Sequence, residues 1–148
     1  MRWYYTQTER IIRPEQEKWM NRQDHEVDLE YDMMGEQALF ARRSPGKTCL
    51  TALASGKKLS RDETLNHSSG NSTVMRAAPI GLFYEGDPEM AFFVGSQAAS
   101  LTHGNPKAFL STATISAIIA SLAVGKDIST ALGGALHILQ RDPEAHAC

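Results

Sequence analysis

Cysteine is scarce in this chain. Its two cysteines, Cys49 and Cys148, lie far apart and form no metal-type spacing, and they suit a reducing, cytoplasmic compartment. Excess charge of one sign is missing too. The formal net charge is −2, which removes the electrostatic case for nucleic acid or an anionic membrane. The first ten residues, M-R-W-Y-Y-T-Q-T-E-R, contain no apolar h-region, so no secretory signal is read there. Strand patterning is almost absent: Val27, Leu29 and Tyr31 alternate with acids, and nothing else resembles a paired strand. There is no internal repeat and no low-complexity segment. One uncharged stretch, 108–124, approaches membrane length, but it is short for a span and carries Ser111, Thr112, Thr114, Ser116 and Ser121. It reads as the core helix of an all-helical domain, with no membrane partner.

What remains is an ordinary globular composition, 42% apolar and 22% charged over 148 residues, enough for one domain with a real core. The fold class expected is all-α. Trp3, Tyr4 and Tyr5 need burial and read as the middle of an element. Pro14 can sit in the first turn of a helix running through Trp19. Asp24, Glu26, Asp28, Glu30 and Asp32 resemble an oxygen-ligand set but lack calcium-loop spacing, so they read as a solvated face. Residues 34–40 are expected to be helical, Ser44-Pro45-Gly46 a turn, and 48–55 a short helix closed by Gly56. Polar loop follows from 57 to 64, and Pro79 bends or starts a helix within 74–84. Asp87-Pro88-Glu89 starts a helix to about Leu101, and Asn105-Pro106 starts another that Gly125 stops. Asp127 caps a last helix through Leu139, and 141–148 is expected to fray.

Three stretches bear on chemistry. Ala41 to Thr48, A-R-R-S-P-G-K-T, fits a loose nucleotide-loop pattern, which makes a P-loop hydrolase the remote alternative. A P-loop needs a buried strand before it, and G-E-Q-A-L-F lacks a β-branched run. The stretch 66–79, N-H-S-S-G-N-S-T-V-M-R-A-A-P, is turn-prone and then apolar. It reads either as an ordinary surface loop or as a phosphate cradle, with Gly70 letting the backbone curl around an anion and short polar side chains as donors. In L-T-H-G-N-P, His103 lies where one helix ends and the next begins. A helix C-terminus favours the charged imidazole, and a half-exposed ring can donate to a phosphate oxygen; the alternative is a capping histidine. His25, His67, His137 and His146 share no metal spacing. Met33, Met34 and Met75 read as core, and Trp3 and Trp19 as packing residues.

Together, R-S-P-G-K-T-C-L-T-A-L at 43–53, N-H-S-S-G-N-S-T-V-M-R-A-A-P-I-G-L at 66–82 and S-L-T-H-G-N-P at 100–106 resemble the ADP-ribosylglycohydrolases in order and spacing. The resemblance covers 43–139 and, more loosely, the Trp3 region. It implies an all-helical fold, removal of ADP-ribose from proteins or related adducts, and two magnesium ions as the usual cofactor. It also implies that Ser68, Ser69, Gly70, Asn71 and Ser72 line the diphosphate of ADP-ribose and that His103 donates to a phosphate. Met75, Arg76 and Pro79 would set up the helix behind the loop.

Two departures shape the expectation. Ser72 and Thr73 stand where the family often has glycines. The family's acidic clusters, an N-terminal Gly-Asp helix start with a later Thr-Asp-Asp and a C-terminal Asp-Thr-Asp, are not found. Metal-assisted attack needs such carboxylates. The chain is therefore expected to be a single partial domain, 1–148, with the ligand cradle but no catalytic residues and no metal ligands of its own. It would bind ADP-ribose or an ADP-ribosylated protein, either as an inactive or segment-dependent hydrolase or as a binding scaffold. Exposed apolar faces would favour self-association.

Overall fold

The computed structural model describes residues 2–8, 37–42 and 44–147. The helix expected from Pro14 through Trp19 and the acids from Asp24 to Asp32 lie outside the described residues. The chain divides into two compact units, 1–57 and 58–148. Among the described residues every regular element is helical and none is a strand, as the sequence predicts.

The smaller unit contains α1 (Arg2–Gln7), a 3-10 turn (Gln37–Phe40) and α2 (Lys47–Ala54). Tyr4, Thr6 and Gln7 of α1 are buried, and Gln7 Nε2 donates to the Leu39 carbonyl at 3.3 Å. Tyr5 meets Phe40 edge-on with centroids 6.1 Å apart. The expected burial of the aromatic start holds for Tyr4 but not for Trp3, which stays 47% exposed. Residues 37–40, directly before A-R-R-S-P-G-K-T, form a 3-10 turn where a nucleotide loop takes a strand.

The larger unit runs from a 3-10 helix (Asn71–Arg76) directly into α3 (Ala77–Phe83), then α4 (Pro88–Ser100), α5 (Pro106–Ala123), α6 (Ile128–Gln140) and a last 3-10 turn (Ala145–Ala147). The local start signals explain these boundaries. Asp87 accepts from Met90 N, Asn105 from Lys107 N, and Asp127 from Ser129 N and Thr130 N, each satisfying amides that a helix start leaves unpaired. Pro79 falls in the first turn of α3, where its missing N–H costs nothing. Gly56 and Gly125 stop their helices at φ +63 and +81, a left-handed conformation that side chains disfavour.

Helix α5 is the centre, with α3, α4 and α6 packed on it. Close approach follows from small side chains. Ala91, Ala99, Ala113, Ala117 and Ala120 are fully buried, with Phe92, Phe109 and Leu110 filling the larger spaces. The hydroxyls along α5 do not spoil this core, because they turn back onto their own helix. Thr112 and Ser116 donate to the carbonyls of Ala108 and Thr112, both at 2.9 Å. Half of the 18-residue apolar window of α5 is buried inside the fold.

Two expectations are corrected here. Met75, read as core, is 79% exposed on the outer side of the 3-10 helix. Within the stretch expected to fray, Asp142 and Glu144 are held: Arg61 grips Asp142 with two hydrogen bonds, at 2.7 and 2.8 Å, and also binds Glu144. Leu82 and Phe83 of α3 and Ile128, Leu132 and Leu136 of α6 face solvent.

Candidate functional site

The candidate site is built by two backbone segments far apart in sequence. The first is 64–72, irregular up to Gly70 and then entering the 3-10 helix. The second is the junction 101–105 between α4 and α5. Asn66 joins them. Its Oδ1 accepts from Ser68 N at 2.9 Å and from Gly104 N at 3.4 Å, and its Nδ2 donates to the Thr102 carbonyl at 2.9 Å. The side chain thereby shapes a local turn and anchors it to the distant junction. Thr73, fully buried, fixes the other end of the loop by donating to the Ala108 carbonyl at 3.1 Å in the first turn of α5.

His103 closes the floor. The amides of Thr102 and His103 both bond to the Ala99 carbonyl at 3.1 Å, so the chain curls under the end of α4 and carries the imidazole beneath the loop. Its Nε2 lies 3.1 Å from Ser72 Oγ. A methyl group on Gly70 would stand only 3.3 Å from the same nitrogen. Thus Gly70 and Ser72 of the loop meet a ring that lies 31 positions beyond Ser72 in the chain.

The predicted residues divide by exposure. Ser69, Gly70 and Asn71 are exposed, and Ser68 and Ser72 half-buried. Of the two readings of His103, a half-exposed charged ring and a capping one, its 1% exposure goes against the first. Burial lowers its pKa from the ordinary histidine value, and the Arg76 guanidinium lowers it further. Loss of hydration and a nearby cation outweigh the helix dipole, so the neutral ring is favoured.

The glycine-to-hydroxyl departures now have distinct places. Thr73 points inward as a structural tie, whereas Ser72 sits directly on His103. Neither fills open solvent. Sequence reasoning missed the supporting roles of Asn66 and Thr102, and it placed Arg76 only in setting up the helix behind the loop. Arg76 donates to the Ala98 carbonyl at 3.3 Å and to Thr102 Oγ1 at 2.7 Å, crossing from the 3-10 helix to the end of α4. An asparagine two residues before a serine amide is a recognisable local turn signal. The Arg76 contact has no such signature.

The arrangement brings amides, hydroxyls, an amide side chain and an imidazole together at one loop, with a cation behind. That donor set suits an anion such as a diphosphate. A divalent cation is not served by it. Among the described residues no three His, Cys, Asp or Glu side chains come together to hold a metal ion. The magnesium expected from the resemblance therefore finds no matching ligand set among them.

The family model described as ADP-ribosylglycohydrolase matches residues 2–148, a wider span than the 43–139 of the resemblance. Comparisons with curated proteins and with solved structures give no match.

Proposed function

The chain belongs to the ADP-ribosylglycohydrolase family, and on that premise we propose that Ser68, Ser69, Gly70 and Asn71 of the loop, with His103, bind the diphosphate of ADP-ribose or of an ADP-ribosylated protein. The observation that carries this reading is the placement of His103 Nε2 directly beneath Ser72 and Gly70. A phosphate oxygen seated in the loop would reach the ring nitrogen from below and the exposed Ser69 and Asn71 side chains from the rim. Arg76 adds a positive field from behind without occupying the loop. Recognition by these residues needs no metal. Hydrolysis is the family's activity, and the described residues supply the recognition half of it.

Titration calorimetry of ADP-ribose into the purified chain tests the reading, with and without magnesium. Saturable binding is expected, weakened about tenfold or more by Asn71→Ala and by His103→Ala, the usual cost of losing a hydrogen bond to a charged group. Absence of binding by a folded chain would sink the assignment. Tightening by magnesium would show that a metal ion takes part in binding, alongside the loop.

The exposed apolar side chains on α3 and α6 support a second expectation, self-association of the chain. Light scattering across a concentration series should show mass rising with concentration. A constant monomer mass would count against it.

A further inference from the structure

A line of polar contacts runs beneath the loop. Arg76 Nη2 lies 2.7 Å from Thr102 Oγ1, Thr102 Oγ1 lies 2.8 Å from His103 Nδ1, and His103 Nε2 lies 3.1 Å from Ser72 Oγ. A neutral imidazole carries one N–H, and the nitrogen that holds it decides whether Nε2 donates or accepts. Two proton arrangements are consistent with these three contacts. In the first, the Thr102 hydroxyl donates to Nδ1, and Nε2–H donates to Ser72. In the second, Nδ1–H donates to Thr102, the Thr102 proton turns to the Ala99 carbonyl, and Ser72 donates to Nε2.

Two observations favour the first. The Thr102 hydroxyl is 2.8 Å from Nδ1 but 3.4 Å from the Ala99 carbonyl, and hydrogen bonds weaken steeply at the longer distance. The guanidinium of Arg76 donates into the same hydroxyl, so the positive charge stands on the Nδ1 side of the ring. A lone pair there is favoured over a second N–H dipole pointing toward the cation. Arg76 is fixed in that place by its bond to the Ala98 carbonyl.

We propose that Arg76 and Thr102 are positioning residues that fix the tautomer of His103 with its proton on Nε2, and that the Ser72 hydroxyl holds this donor until a phosphate oxygen of ADP-ribose replaces it. The inference rests on the reading of the loop as a diphosphate cradle. Its chemistry is specific. A phosphodiester oxygen brings lone pairs and no proton, so an Nε2 lone pair would repel it, while Nε2–H binds it without the ring having to be charged. Ser72 marks the spot: its oxygen stands where the ligand oxygen would be, and keeps the buried N–H paired while the loop is empty.

Ring-nitrogen NMR of the ligand-free chain tests the tautomer directly, and ADP-ribose titration tests its use. A protonated Nε2 and an unprotonated Nδ1 are expected. Thr102→Val, which keeps the shape but removes the hydroxyl, should lose this single pattern and weaken ADP-ribose binding about tenfold, with Thr102→Ser restoring both. Arg76→Gln should raise the pKa of His103, since among the described residues Arg76 is the charged group that lowers it, and the ring nitrogens meet the uncharged Ser72 and Thr102. Ser72→Ala should bind ADP-ribose at least as tightly as the parent chain. A proton on Nδ1, or an unchanged pattern in a folded Thr102→Val, overturns the proposal. Loss of affinity in Ser72→Ala overturns the placeholder role, making the hydroxyl a ligand donor. If the tautomer behaves as expected and ADP-ribose binds to no variant and not to the parent, the cradle reading fails and the ligand role of the network fails with it.

Discussion

Gly104→Ala should dismantle the candidate site and destabilise the larger unit together, by about 3 kcal/mol, the scale of severe overpacking in a tight contact. The two segments that make the site cross at this residue. A methyl group on Gly104 would lie inside the contact distance of the Asn66 carbonyl oxygen and 2.5 Å from Thr64 Cβ. The obstruction is backbone, so no side chain can swing aside. The loop would have to lift from the α4–α5 junction, and the Asn66 bonds to Thr102 and Gly104 would break with it. Urea unfolding should show the stability loss, and ADP-ribose titration should show binding falling below detection. Gly134→Ala is the control. It lies within α6 with nothing within 4 Å of the added carbon, and there alanine should be neutral or slightly stabilising. Equal stability of the two variants would mean that the loop does not sit on the junction.

The same residue shows where the sequence is informative and where it is not. The helix starts at Asp87, Asn105 and Asp127 are legible because each signal and its effect lie within three residues. The stops at Gly56 and Gly125 are legible for the same reason. The need for glycine at 104 is not, since the atom that excludes a side chain belongs to Asn66. His103 and the 66–72 loop are visible as motifs, and the family resemblance ties them together. That the ring is buried and Arg76-flanked depends on packing across 26 to 31 positions, which no local pattern encodes. Met75 failed in the opposite direction. An apolar residue two places beyond the buried Thr73 in a 3-10 helix can point outward, and hydrophobicity alone does not settle the face.

Arg61→Met should cost about 3 kcal/mol and free the end of the chain, because it leaves a buried carboxylate without its partner. Asp142 has a side chain only 8% exposed, and Arg61 20%. The guanidinium binds both Asp142 oxygens, reaches Glu144, and stacks 4.8 Å above the Phe109 ring of the core cluster. Methionine keeps an apolar stem over that ring, so the variant isolates the loss of charge and fork from the loss of packing. Arg61→Lys should fall between the two, since a lysine carries the charge but cannot bind both oxygens at once. These contacts join positions more than 80 residues apart, which is why a charged, helix-free tail reads as frayed in the sequence and is ordered in the fold. The pH dependence gives the pair its own signature. The Arg61 hydrogen bonds hold the Asp142 pKa below its ordinary value of 3.8. A carboxylate whose pKa is lower folded than unfolded adds stability that is complete above the unfolded pKa, about 3.9, and disappears as pH falls through the folded one. The stability gap between the parent chain and Arg61→Met should therefore be level near neutral pH and close in that acid window. Urea unfolding across the pH series measures the gap, and hydrogen exchange should show faster exchange of the Asp142, Glu144 and Ala145 amides in the variant. A gap that persisted below the window would assign the effect of Arg61 to its stacking on Phe109 rather than to its grip on Asp142.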